Sequence, residues 1–322
     1  MTLDPDRRTP EIDPRLLDRA RGCAVGAAVG DALGMPLEFK PRRSPGNLIC
    51  DMIPGRLPAG AFTDDTEMAL ALAESLLSRR PLDLDDLARR FAAWAMADPP
   101  DIGIQTSRAL RRIAQGEPWE TVIEEEQRRH PDAAGNGSLM RCWPVALAYW
   151  DDLDALLRDS ERQSRVTHPH PDCVAACVLI NATIYGLLHG ASPEEALYNA
   201  ASLARLGEPL EQTLRAAKNR SREELTNSGW VRHTVESAVW GLLNTDTFED
   251  ALVSVVNLGN DADTAGAVAG ALAGAAYGLA AIPERWKTAL RGEWPLRSGA
   301  IWTVNNVIDM ADRLIRLAVE DV

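Results

Sequence analysis

Two runs of glycine at four-residue spacing constrain this chain more than any other feature. One is Gly22, Gly26, Gly30 and Gly34, and the other is Gly266, Gly270, Gly274 and Gly278. Inside a helix each Gly costs about 1 kcal/mol relative to Ala, so eight of them need a compensating contact. A spacing of four keeps the glycines near one helix face, and a face without Cβ atoms lets a second backbone come close. The ladders therefore predict two central helices in contact, each with acidic residues at one end. Asp31 and Glu38 stand by the first, and Asp261 and Asp263 by the second.

Apolar residues at helical spacing recur over 17–33, 67–77, 84–96, 174–188, 231–243, 248–258, 264–280 and 301–319. Pro and Gly gather between them, as in 41–47 and 97–103, which read as loops. No set of alternating strand-like runs stands out, and no tandem repeat or low-complexity linker. The expectation is a polar N-terminal tail over 1–14, followed by one compact all-α domain over 15–322. The stretch 265–282 has no charged residue and reaches the minimum length for a membrane span. It is mostly Ala and Gly and follows two aspartates, so a buried core helix is the better reading.

Charge narrows the partners. Lys and Arg number 34 against 47 Asp and Glu, a formal net charge of -13 that repels phosphate polymers and anionic lipid. Nucleic acid and membrane surfaces are therefore not expected partners. Five cysteines, an odd number without a CxxC, argue against a disulfide framework. With no apolar segment behind a basic start, the expected location is the cytoplasm. Cys173 and Cys177 follow His168 and His170 closely enough to raise zinc, but two small thiols buried in an apolar helix is the simpler account.

The candidate chemistry lies in two Thr/Asp clusters, Thr63-Asp64-Asp65-Thr66-Glu67 and Asp261-Ala262-Asp263-Thr264, each directly before a helical run. Either could simply cap its helix, since Asp64 with Glu67 three residues on is a capping-box pattern. Together they offer four carboxylates and the hydroxyls of Thr63 and Thr264, an all-oxygen set suited to Mg²⁺ or Mn²⁺ rather than zinc. Four negative side chains would balance two dications, typically about 3.5–4 Å apart in paired sites. Two further segments could furnish a cleft. Gly135-Asn136-Gly137-Ser138 is expected to open a helix and expose amides to a phosphate. Thr167-His168-Pro169-His170-Pro171 is a stiff turn before another helix, serving either ligand contact or loop shaping.

In order, GDALGMPLE (30–38), GAFTDDTE (60–67), GNGSLMR (135–141), THPHP (167–171) and GNDADTAGAVAG (259–270) resemble the ADP-ribosylglycohydrolase family. That family includes the dinitrogenase-reductase-activating glycohydrolases, and the likeness runs from about residue 21 to residue 282. The resemblance implies an all-α fold holding two Mg²⁺ or Mn²⁺ on Thr63, Asp64, Asp65, Asp261, Asp263 and Thr264. It implies catalytic roles for Glu38 and Asp101, and substrate contacts from Asn136, Gly137, Ser138 and His168. The expected partner is an ADP-ribosylated protein or a small ADP-ribose conjugate, most simply one linked through arginine. The arginine-specific enzymes carry Asn three residues after the Asp that matches Asp101, whereas this chain has Ile104. Hydrolysis of an O-linked group and non-catalytic binding of ADP-ribose or a partner protein are the alternatives.

Overall fold

The computed structural model describes residues 12–320 as a helical domain of fifteen α-helices with one two-stranded hairpin. Most of the proposed tail, residues 1–11, lies outside the described residues, and the first helix already begins at Pro14 with Asp13 capping it. At the centre the helices Pro14–Gly34 and Ala262–Tyr277 run antiparallel, glycine against glycine. A Cβ built on Gly22 would lie 2.3 Å from the Gly274 carbonyl oxygen, one on Gly26 2.2 Å from that of Gly270, and one on Gly30 1.9 Å from that of Gly266. These are backbone-to-backbone contacts, which only the missing side chains permit. Gly34 meets the carbonyl of Ala262 instead, so the fourth rung of the first ladder has no glycine opposite it. Gly278 keeps the register but faces Asp18 of the first helix rather than a glycine. It ends its helix at φ +82°, a conformation that favours glycine, beside the Asp18 carboxylate.

Several helix boundaries coincide with the apolar periodicity, among them Leu84–Met96 and Val231–Leu243. The helix expected over 301–319 does not start where the apolar run does. Ile301–Thr303 is a strand, paired antiparallel with Arg291–Glu293, and the helix is Val304–Glu320. Its buried residues Val307, Met310, Ala311, Leu314 and Ile315 hold the helical period, while Ile301 is out of phase and half exposed. The charge-free run 265–282 is likewise broken, because its helix stops at Tyr277. Pro171–Leu188 is the one described helix long and apolar enough to cross a membrane, and 83% of it is buried inside the fold. It carries Cys173 and Cys177, both fully buried, as the apolar-helix reading expected.

Candidate active site

The antiparallel contact brings the C-terminal end of the first glycine helix to the N-terminal end of the second, so that the acidic residues of both converge. Asp31, in the last turn of the first helix, reaches across to the start of the Asp64–Ser78 helix. Its carboxylate accepts hydrogen bonds from the backbone N–H of Thr63 (2.9 Å) and Thr66 (3.1 Å) and from their hydroxyls (2.8 and 2.6 Å). A carboxylate from another helix thus satisfies donors that a local cap would otherwise take. The capping box that Asp64 and Glu67 could have formed is absent. Glu67 accepts from the indole N–H of Trp94 (2.7 Å), and neither Thr63 nor Asp261 caps its helix with a side-chain hydrogen bond. Asp64 and Asp65 are therefore free for other work.

Two backbone pairings set the remaining acids. Glu38 and Asn260 form a parallel bridge in which the Phe39 N–H donates to the Asn260 carbonyl (2.7 Å) and the Asn260 N–H to that of Lys40 (2.8 Å). Gly259 makes this approach possible, at φ +69° with its missing Cβ 2.4 Å from the Lys40 carbonyl. On the other side the Phe62 N–H donates to Arg291 (3.0 Å) and the Arg291 N–H to Gly60 (2.8 Å), so the hairpin braces the entry to Thr63. Asn136 donates from Nδ2 to Asp261 (2.5 Å) and to the Thr234 hydroxyl (2.8 Å). Its side chain orients an acid rather than reaching for substrate.

Carboxylate oxygens of Glu38, Asp101 and Asp263 lie within 4.8 Å of one another. Burial and neighbouring carboxylates push Asp64, Asp65 and Asp263 well above the usual carboxylate range, and burial raises Asp261 and Glu38 as well. Asp31 is pushed up to about 6 and Glu67 to about 8, in both cases chiefly by burial. The Thr264 hydroxyl neighbours both Asp65 and Asp261 and opposes their upward shift. Asp65 Oδ1 is buried without any hydrogen-bond partner among the described residues. A buried carboxylate oxygen without a donor, among acids that repel one another, fits a hard cation with oxygen ligands. Neither Cys173 nor Cys177 belongs to the metal-capable group, so the zinc reading finds no support.

A cation of the chain itself meets this centre. Arg56, from the loop before Gly60, donates to Glu38 from Nε (3.0 Å) and Nη2 (2.7 Å), ion-pairs with Asp101, and lies 3.5 Å from Asp263. No feature of the sequence singles it out. Asp101 lies in the loop before the Ile104–Ala114 helix, whose first residue Ile104 is 73% exposed.

The other cleft segments differ from expectation in detail. The Gly135–Ser138 segment does not open a helix. It runs through turns, and the next helix starts only at Trp143. Gly135 instead pairs antiparallel with Trp230, and the Gly135 N–H donates to Gln105 (3.2 Å). Ser138 turns its hydroxyl into the core, 2.9 Å from that of Ser164, which leaves only its backbone for a ligand. The imidazole of His168 packs under Gly137, where a Cβ would lie 2.8 Å from Cε1 and 3.0 Å from Nε2. His170 caps the Pro171–Leu188 helix through Nδ1, which accepts from the Asp172 N–H (3.1 Å).

A group that keeps its proton in the folded protein but releases it on unfolding makes stability fall as pH rises. Here the window opens at the unfolded carboxylate values, near 4, and extends through about 6 for Asp31 and about 8 for Glu67. Chelator-treated protein is therefore expected to melt at progressively lower temperature from roughly pH 5 to pH 8. Because a cation would compete with the protons that the raised Asp64, Asp65 and Asp263 hold, stabilisation by added Mn²⁺ should grow over the same interval. At a hundredfold excess over its dissociation constant it should reach about 2.7 kcal/mol. Melting curves with and without Mn²⁺ at each pH check this, and a metal-free profile that rises with pH would contradict it.

Similar proteins are known by both sequence and structure. The family model for ADP-ribosylglycohydrolase matches residues 12–321. An ADP-ribosylarginine hydrolase of Pseudomonas putida is 37% identical over 291 residues, covering 86% of this chain and 75% of that protein. The ADP-ribosyl-dinitrogen reductase glycohydrolase of Rhodospirillum rubrum is 35% identical, covering 86% of this chain and 92% of its own. A solved structure described as an ADP-ribosylglycohydrolase-related protein complex superposes with a TM-score of 0.76 at 36% identity, over 94% of this chain and 99% of that one. With a match over nearly its whole length, the chain belongs to the ADP-ribosylglycohydrolase family.

Proposed function

We propose that this chain is a metal-dependent hydrolase that removes ADP-ribose from modified protein side chains, with arginine as the acceptor. Thr63, Asp64, Asp65, Asp261, Asp263 and Thr264 would hold two Mg²⁺ or Mn²⁺. The observation that carries the arginine reading is the seat of Arg56, because the Glu38–Asp101 pair already accepts a guanidinium. The names of the Pseudomonas and Rhodospirillum relatives support the same reading. Small conjugates of ADP-ribose that carry a guanidinium would fit equally well.

The reaction follows from these residues. As the bond between the anomeric carbon and the guanidine nitrogen breaks, its electrons leave with the nitrogen and the sugar becomes oxocarbenium-like. Water adds at that carbon and must lose a proton, which the departing guanidine takes up to become guanidinium again. Glu38, a part-buried carboxylate beside those of Asp101 and Asp263, is the group to pass that proton. Asp101 stabilises the guanidinium, in the place where it now meets Arg56. Bound dications would add positive charge that offsets the clustered acids and draws in the ribose hydroxyls. Asn136 holds Asp261 in orientation throughout.

A serine-linked substrate leaves as an alkoxide and needs a proton donor more than a nearby carboxylate. Exposed Ile104, standing where the arginine-specific pattern has Asn, is the one feature that favours this second reading. Peptides carrying ADP-ribose on arginine or on serine, assayed side by side with Mn²⁺, separate the two. Wild-type protein is expected to release ADP-ribose from the arginine peptide. Asp101→Ala should slow that release about 100-fold, on the scale of losing one stabilising contact in the transition state, with little change in affinity for free ADP-ribose. Turnover of the serine peptide alone, or indifference to Asp101→Ala, overturns the arginine assignment.

A further inference from the structure

Arg141 is fully buried, and no carboxylate pairs with it among the described residues. Its guanidinium lies 4.1 Å from the centre of the Phe91 ring and donates to the side chain and carbonyl of Gln163 and to the Thr167 hydroxyl (2.8 Å). Burial pulls it down to about 9, so it remains a cation at neutral pH. An unpaired buried cation is costly, and its contacts point to what it does.

Arginine only donates, so the Thr167 oxygen must accept from it. The hydroxyl then has a single proton left to give. Its other neighbour is His168 Nδ1, 2.8 Å away. No other acceptor for the Thr167 hydroxyl proton is present among the described residues, so giving that proton a partner makes Nδ1 the acceptor and puts the imidazole hydrogen on Nε2. Burial and the nearby Arg141 charge hold His168 far below its usual range, so the ring is neutral. The imidazole is 1% exposed, yet Nε2 has no hydrogen-bond partner among the described residues. It lies against the Gly135–Gly137 loop, 3.3 Å and 3.0 Å from the positions where those glycines would carry Cβ. Any other residue at 137 would cover this donor.

We propose that Arg141 and Thr167 are positioning residues that lock His168 in its Nε2–H tautomer, aiming one hydrogen bond past the Gly135–Gly137 loop at an anionic oxygen of the ligand. The ligand part of this proposal rests on the reading that ADP-ribose binds here. The chain Arg141–Thr167–His168 explains why a cation is buried without a counter-ion: its charge fixes the direction of a hydroxyl rather than neutralising an acid. Gln105 supports the same geometry, since it accepts from the Gly135 N–H and donates to the Thr167 carbonyl (3.3 Å).

Nitrogen NMR of ¹⁵N-histidine-labelled wild-type protein reads the tautomer directly and needs no ligand. The proposal expects the His168 hydrogen on Nε2 and none on Nδ1. Thr167→Val, which keeps the shape and removes the hydroxyl, should release this preference and weaken ADP-ribose binding by calorimetry about tenfold or more, the scale of one hydrogen bond to a charged group. KM should rise more than kcat falls. Thr167→Ser should restore both the tautomer signature and the affinity, which a purely structural role for the methyl group would not predict. A wild-type hydrogen on Nδ1, or unchanged ADP-ribose affinity in Thr167→Val, overturns the proposal. If wild-type protein binds no ADP-ribose, the activity reading fails and the donor role with it, while the nitrogen spectrum still judges the lock separately.

Discussion

Gly270→Ala is expected to destabilise the fold strongly, although the change adds one methyl group and raises helix propensity. That methyl would sit 2.0 Å from the Gly26 carbonyl oxygen, and the reciprocal change at Gly26 would place one 2.2 Å from the Gly270 carbonyl. Both obstacles are backbone, so no side-chain rotation relieves them and the two central helices must move apart. Overpacking of a well-filled core costs about 1–3 kcal/mol and sometimes more. Here it acts on the contact that aligns both acidic helix ends, so the cost should reach or exceed the top of that range. The gain of about 1 kcal/mol from replacing a helical Gly does not offset it. Leu at either position should be worse still. Gly46→Ala is the control, because nothing lies within 4 Å of the added atom. Urea unfolding of the three proteins checks the account, and equal small shifts for Gly46→Ala and Gly270→Ala would contradict it.

The ladders were legible because a four-residue glycine repeat has few explanations in a helical chain, and their contact with each other follows from the same geometry. The all-α fold and the convergence of the two Thr/Asp clusters could be read for the same reason. The strand at Ile301–Thr303 was not, because a short β-branched and aromatic run just before an amphipathic helix continues its apolar density if not its phase. Gly278 extended the spacing of four while serving as a helix terminator, and spacing alone cannot tell these uses apart. Asp31 was visible as an acid near the first ladder, but its role depends on reaching Thr63 and Thr66 more than thirty residues away. Arg56 and Asn227 gave no signal. Asn227 donates to the carbonyls of Gly259 (2.7 Å) and Asp261 (3.0 Å) from a loop with no motif of its own. Asn136 and Ser138 lay in a recognisable motif, yet which way each side chain turns is decided by Asp261 and Ser164, residues far along the chain.

The other large effect is expected at Asp263. Its carboxylate lies near those of Glu38 and Asp101, is buried, and is repelled by Asp65 and Asp261. Removing it takes a charge from the middle of the proposed cation site while leaving Gly266, Gly270 and Gly274 in place to hold the helices together. Asp263→Ala should therefore fold, since it relieves repulsion among buried acids, and in chelator it should melt no lower than the wild type. Metal affinity should collapse, and turnover should fall about 10³-fold or more, the scale of several kcal/mol of charge stabilisation.

The central claim is that the junction of the two glycine helices is a divalent-cation centre that hydrolyses ADP-ribosylarginine. Its most direct test is release of ADP-ribose from an arginine-modified peptide by chelator-treated protein as Mn²⁺ is titrated back, with bound metal measured on the same samples. The account predicts no turnover without metal and activity that rises as the protein takes up two ions per chain, with Asp263→Ala neither binding them nor recovering. Full turnover in the presence of chelator, or stoichiometric metal uptake by an Asp263→Ala protein that remains active, would contradict it.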